Sequence, residues 1–247
     1  MSYNTLTYQK EDYVAVINIV GPVDKQEKMA ELAHELSGLC EEITMDKEIR
    51  VIILTGGEKA FCVGPHKAPL AGFFAIVEPI GMLDLPVIAA TSGDVIGQGL
   101  ELALACDIRI ATETSHFEMP HIKEGLIPWD GGTQRLSRLV GKAKAMEMIL
   151  TGKMIDAQEA YRIGLVNRIV PCAELTAVVS EMARQMASKG PIALRYAKEA
   201  INKGTDLTLG QGLRLEADLY CLLHTTRDRT EGIKAFQEKR TARFEGE

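Results

Sequence analysis

The stretch Ala89–Ala111, AATSGDVIGQGLELALACDIRIA, constrains this chain more than any other. Its apolar runs demand burial on both sides of a glycine turn (Gly97, Gln98, Gly99). In the apolar run after this turn one carboxylate, Glu101, stands among Leu100, Leu102, Ala103, Leu104 and Ala105. A buried acid is costly unless it is paired, hydrogen-bonded or engaged in proton transfer. Glu101 is therefore the first candidate for chemistry.

The remaining pattern is that of strand–helix units followed by helices. Thr5–Lys10 and Tyr13–Ile19 read as a hairpin, and the stretch from Gln26 to Thr44 repeats apolar residues at helical spacing. Val51–Leu54 and Val87–Ala90 read as buried strands. The segment from Thr55 to His66 reads as a glycine loop, Ala68–Leu83 as a helix, and Ile108–Ala111 as a strand after a helix through Cys106. His116–Pro120 reads as extended. Helices are predicted over Gly132–Val140, Ala143–Leu150 and Ala157–Ile163, the last capped by Asp156, before a strand at Val166–Val170. Beyond Pro171 the pattern is wholly helical: Glu174–Ser188, Pro191–Asn202, Leu207–His224 and Arg229–Lys239. The implied class is an α/β body with a helical C-terminal section, divided at residues 1–190 and 191–247.

Composition excludes several functions. A formal net charge of -6 gives no general attraction to nucleic acid or anionic membranes, although local basic clusters remain available to a phosphorylated ligand. The start lacks a signal-peptide pattern and no apolar run has the length of a membrane span, so a cytoplasmic protein is expected. Five scattered cysteines without a C-x-x-C pair point to reduced thiols, with Cys40 and Cys106 as core filler.

Three segments in order, Lys59–Gly64 (KAFCVG), Gly97–Asp107 (GQGLELALACD) and Gly125–Leu136 (GLIPWDGGTQRL), resemble the crotonase superfamily, the enoyl-CoA hydratase/isomerase family. Leu139-Val140-Gly141 and AYRIGLVNRIV at Ala160–Val170 extend the likeness over roughly residues 50 to 204. The resemblance implies a spiral of ββα units with a C-terminal helical region that makes homotrimers or dimers of trimers. It implies an acyl-CoA substrate, CoA arriving as part of that substrate and not as a separate cofactor; the histidines near Glu101 follow no metal-ligand spacing, so no metal is expected. The thioester carbonyl is then polarised by two backbone N–H groups while side chains nearby move protons.

Carried over by position, one oxyanion donor falls on the N–H of Gln98, where the family usually has glycine. The other falls on Pro65, which has no N–H. One such donor is worth about 2.7–4 kcal/mol of transition-state stabilisation, so either His66 supplies a replacement or the activity is low or different in kind. Glu101 matches one hydratase glutamate, and His121, after Pro120, occupies the position of the other. A Glu/His pair has the acid and base that hydration requires, and it also has the composition of a static ion pair.

The same matching places Lys59, Phe61, Val63, Gly64, Gly97, Trp129 and Asp130 along the substrate. Trp129 either narrows the acyl pocket or packs in the interior, and Asp130, one position off the register of an isomerase carboxylate, fits better as a cap for the helix from Gly131. His66 and His116 are weaker candidates for proton transfer. Lys25, Lys28, Lys59 and Lys67 are candidates for CoA phosphates, set against ordinary solvated lysines. Gly21-Pro22-Val23-Asp24-Lys25 replaces the family's Asn-containing loop, and the stretch from Gly64 to Pro86 is short, which leaves the acyl class open.

The leading expectation is an acyl-CoA enzyme of the hydratase/isomerase type with Glu101 as principal acid/base. A hydrolase or decarboxylase of the same superfamily, or a catalytically degenerate CoA-binding subunit, are the alternatives.

Overall fold

Strands buried on both faces form the centre of the molecule, as their unbroken apolar runs require. In the computed structural model, which describes residues 3–21, 26–64 and 74–247, the hairpin β1 (Leu6–Glu11) and β2 (Val14–Ile19) opens the chain. The helix α1 (Gln26–Met45), β3 (Val51–Thr55), β4 (Ala60–Val63) and the short α2 (Val77–Gly81) follow. Next come β5 (Val87–Thr91), β6 (Asp94–Ile96), α3 (Gln98–Ala105), β7 (Ile108–Thr112) and β8 (His116–Glu118), then a 3₁₀ turn at Pro120–Glu124. The chain continues through α4 (Gly132–Val140), α5 (Lys142–Thr151), β9 (Ile155–Asp156), α6 (Ala157–Arg162) and β10 (Arg168–Val170). It closes with α7 (Leu175–Ala187), α8 (Pro191–Gly204), α9 (Leu209–Leu223) and α10 (Arg227–Glu238).

Two sheets result: six strands in the order β1-β2-β3-β5-β7-β10, and four in the order β4-β6-β8-β9. Each turn of chain gives one strand to each sheet, as in β3–β4, β5–β6 and β7–β8, and then a helical segment. This is the spiral of ββα units that the resemblance implies.

Side-chain alternation divides the large sheet between two apolar layers. Val51, Ile53, Ile88, Ala90 and Ile110 pack with Leu175, Val179, Ala183 and Ala187 of α7. Ile52, Leu54, Val87, Ala89 and Ala111 belong to the main core with Met29, Leu32, Leu36 and Leu39 of α1.

The structure corrects the sequence reading in places. Only Val77–Gly81 of the expected Ala68–Leu83 helix is helical among the described residues, and positions 65–73 lie outside them. The glycine loop contains β4, and β6 was unforeseen; both are too short to carry a periodic signal. His121 sits on the 3₁₀ turn, one residue after its leading proline.

Asp156 caps α6 by accepting from Glu159 N at 2.8 Å, as its position predicts. The five cysteines are free, and burial pushes the thiols of Cys40, Cys62 and Cys106 up to about 12, which leaves them inert. Among the described residues no helix is long and apolar enough to cross a membrane.

Candidate active site

The start of α3 is the structural centre of the site. Gly97 turns the chain out of β6 with φ 61°, a left-handed value that a side chain tolerates poorly. Its N–H donates to Glu118 O at 3.0 Å while Gly64 N donates to Ile96 O at 3.1 Å, so the ends of β4, β6 and β8 converge on this helix start. Gly64 lies flush against the backbone of Gln98. The Gln98 N–H leads α3, has no acceptor among the described residues, and adds to the positive end of the helix dipole.

One turn on, Glu101 is fully buried. Its Oε1 accepts from Asp130 N at 2.9 Å and from Gly132 N at 2.8 Å. Gly132 approaches so closely that a Cβ there would stand 2.8 Å from Oε1, so the sequence must keep glycine at this point. Oε2 makes no hydrogen bond among the described residues and faces His121 Nε2 at 3.8 Å. Burial raises the carboxyl pKa to about 7, against the lowering effect of the Gly132 and Asp130 N–H groups. The Asp130 carboxylate adds to the rise and Arg135 opposes it. Glu101 therefore changes charge near neutral pH.

His121 is as deeply buried as Glu101. Trp129 packs edge-on against its imidazole, with ring centroids 5.3 Å apart at 84°. This gives Trp129 a defined neighbour: its ring shapes the environment of the histidine.

Asp130 is not the cap of α4. That helix begins at Gly132 behind Gly131, with no side-chain cap. Asp130 Oδ2 instead accepts from Ile76 N at 2.9 Å and Val77 N at 3.2 Å, at the head of α2, and from Gln98 Nε2 at 3.2 Å. The tertiary donors outcompete the local ones, because α4 starts with its own glycine turn.

The other sequence-predicted positions separate. Phe61, 1% exposed, belongs to the hydrophobic core, which removes its side chain from the substrate side. Val63 is half-buried, and Lys59 is exposed with its carbonyl accepting from Asp94 N. Lys28 is exposed and bonded to Glu31 at 2.8 Å. His116 is exposed, with Nδ1 3.4 Å from Asp94 Oδ1. Pro65, His66, Lys25 and Lys67 lie outside the described residues. What sequence reasoning missed is the backbone: the N–H groups of Asp130 and Gly132 hold Glu101, and backbone donors leave no residue signature beyond the glycine itself.

Comparison with known proteins gives a consistent result. The family model for enoyl-CoA hydratase/isomerase matches residues 9–247. A Bacillus subtilis (strain 168) protein, YngF, named as an enoyl-CoA hydratase/isomerase, is 42% identical over 250 residues and covers 96% of each chain. A crotonyl-CoA hydratase of Syntrophomonas wolfei is 35% identical over 257 residues, covering 99% of both. Among solved structures, an enoyl-CoA hydratase from Bacillus anthracis superposes with a TM-score of 0.90 at 39% identity, covering 99% of this chain and 100% of the other.

Proposed function

The chain belongs to the enoyl-CoA hydratase/isomerase family, and from that premise we propose that it moves protons on an enoyl-CoA thioester, with Glu101 as principal acid/base and His121 as the second proton-transfer group. It is an enzyme of the hydratase/isomerase type. The observation that carries the mechanism is the 3.8 Å approach of Glu101 Oε2 to His121 Nε2 inside a fully buried setting. Oε1 is already held by two N–H groups, which leaves Oε2 for the proton.

Hydration adds water across the double bond conjugated to the thioester. A base takes a proton from water as oxygen bonds to the β-carbon, and an acid delivers a proton to the α-carbon. The negative charge meanwhile rests on the thioester oxygen. Glu101, titrating near neutral pH, suits either half, and the imidazole of His121 suits the other. The Gln98 N–H at the start of α3 is the donor assigned to the thioester oxygen. Trp129 is assigned to the acyl side of the site through its contact with His121. CoA is taken to arrive as part of the substrate, with no separate cofactor and no metal.

The exposed apolar residues Leu209, Leu213 and Tyr220 on one side of α9 support assembly into a trimer or a dimer of trimers. Incubation with enoyl-, malonyl- and simple acyl-CoA thioesters, read by product mass, tests the reaction. A gain of one water on the enoyl-CoA supports this reading. Release of free CoA or of carbon dioxide instead assigns a hydrolase or a decarboxylase.

A further inference from the structure

Two side chains from distant parts of the chain meet beside Glu101: Gln98 Nε2 donates to Asp130 Oδ2 at 3.2 Å. The same Asp130 oxygen accepts from Ile76 N and Val77 N, and the same Gln98 nitrogen donates to Phe74 O at 2.9 Å. The main-chain N–H of Asp130 grips Glu101 Oε1 at 2.9 Å. Asp130 thus holds the acid/base residue by its backbone and the head of α2 by its side chain. Its partner Gln98 leads the helix that carries Glu101.

We propose that Asp130 and Gln98 are paired positioning residues, a clamp that locks the Phe74–Val77 segment to the start of α3 and fixes the Glu101 carboxyl for proton transfer. The inference rests on the reading of Glu101 as acid/base. Neither side chain is needed to touch the reacting atoms in this role. A misplacement of about 1 Å at a reacting group costs on the order of 10²-fold in rate, so a clamp one bond removed from Glu101 has a large lever. The carboxylate also acts through its charge: it favours protonated Glu101, against Arg135 on α4 and with His121 facing from the 3₁₀ turn.

The test uses the full chain with crotonyl-CoA as probe and the variants Gln98→Gly, Asp130→Ala, Asp130→Asn and the double Gln98→Gly/Asp130→Ala. Asp130→Ala should lower kcat on the order of 10- to 10²-fold with little change in KM. The double variant should be no worse than Asp130→Ala alone, as residues in one network are not additive. Asp130→Asn keeps an acceptor for the Ile76 and Val77 N–H groups. It should restore most of kcat while moving the Glu101 limb of the pH profile to lower pH, a shift that a purely structural residue does not produce. Additive losses, or an Asp130→Asn profile identical to wild type, overturn the proposal.

Amide hydrogen exchange separates the clamp from the activity. Ile76 and Val77 should lose protection in Asp130→Ala while β5 keeps it, and unchanged protection at both overturns the clamp. If the wild-type chain leaves crotonyl-CoA and its longer homologues untouched, the functional reading fails, and the exchange result still decides whether the clamp exists.

Discussion

Glu101 Oε2 and His121 Nε2 face each other at 3.8 Å with both side chains fully buried. The two side chains are held by different elements, α3 and the 3₁₀ turn after β8, and burial raises the carboxyl pKa to about 7, the arrangement on which the proposed proton transfer rests.

The pair should be visible in stability. The folded-state pKa of Glu101, about 7, lies above the ordinary 4.5, so the native state binds more protons than the unfolded chain between these values. Stability is then lost as pH rises through that window, by on the order of 3 kcal/mol. Thermal melts of Glu101→Gln and wild type should converge toward pH 5, separate in favour of the variant as pH rises to 7, and keep a constant gap above it. A constant difference between pH 5 and 7 contradicts the raised pKa.

His121 should matter for turnover more than for binding. His121→Gln keeps the size and a polar tip but removes the imidazole. It is expected to lower kcat by on the order of 10²–10⁴ with KM nearly unchanged, measured on an enoyl-CoA with far-UV circular dichroism as the control for folding. A wild-type kcat in this variant removes His121 from the chemistry.

Arg109 supports the site from the far end of α3. It is 4% exposed, donates from Nε to Leu165 O at 2.8 Å, and reaches Ala103 O and Cys106 O from its guanidinium at 3.2 and 2.6 Å. The bonds to Ala103 O and Cys106 O satisfy carbonyls at the end of α3 with a cation, which the helix dipole favours. Arg109→Leu strands three buried acceptors and should cost about 2–4 kcal/mol, lowering the melting temperature by several degrees. A melting temperature equal to wild type would show that the carbonyls find other donors.

Assembly is tested on α9. Leu209, Leu213 and Tyr220 are 78%, 56% and 61% exposed, and the double variant Leu209→Glu/Leu213→Glu should elute as a monomer in size-exclusion chromatography with light scattering. Wild type should elute as a trimer or a dimer of trimers. A monomeric wild type contradicts the assembly.

Much of the fold was legible because its main signals are local. The runs VIIL and VIAA and the α1 stripe of Met29, Leu32, Leu36 and Leu39 mark buried strands and an amphipathic helix without reference to anything else in the chain. The second sheet was not legible from periodicity, since β4 and β6 are four and three residues long beside glycines; only the family resemblance implied it.

In the site, Glu101 announced itself as an acid in an apolar helix. Asp130 was misread because a cap is argued from neighbours, whereas its acceptor oxygen serves Ile76 and Val77, more than fifty residues earlier. The grip on Glu101 is made by main-chain N–H groups, which any residue but proline provides.

The central claim, that Glu101 carries the proton, is tested most directly by the turnover of Glu101→Gln on an enoyl-CoA that the wild-type enzyme hydrates. The amide oxygen can still accept from Asp130 N and Gly132 N, so the fold and thioester binding should persist while kcat falls by at least about 10²-fold. Hydration at the wild-type rate by a correctly folded Glu101→Gln would contradict the account.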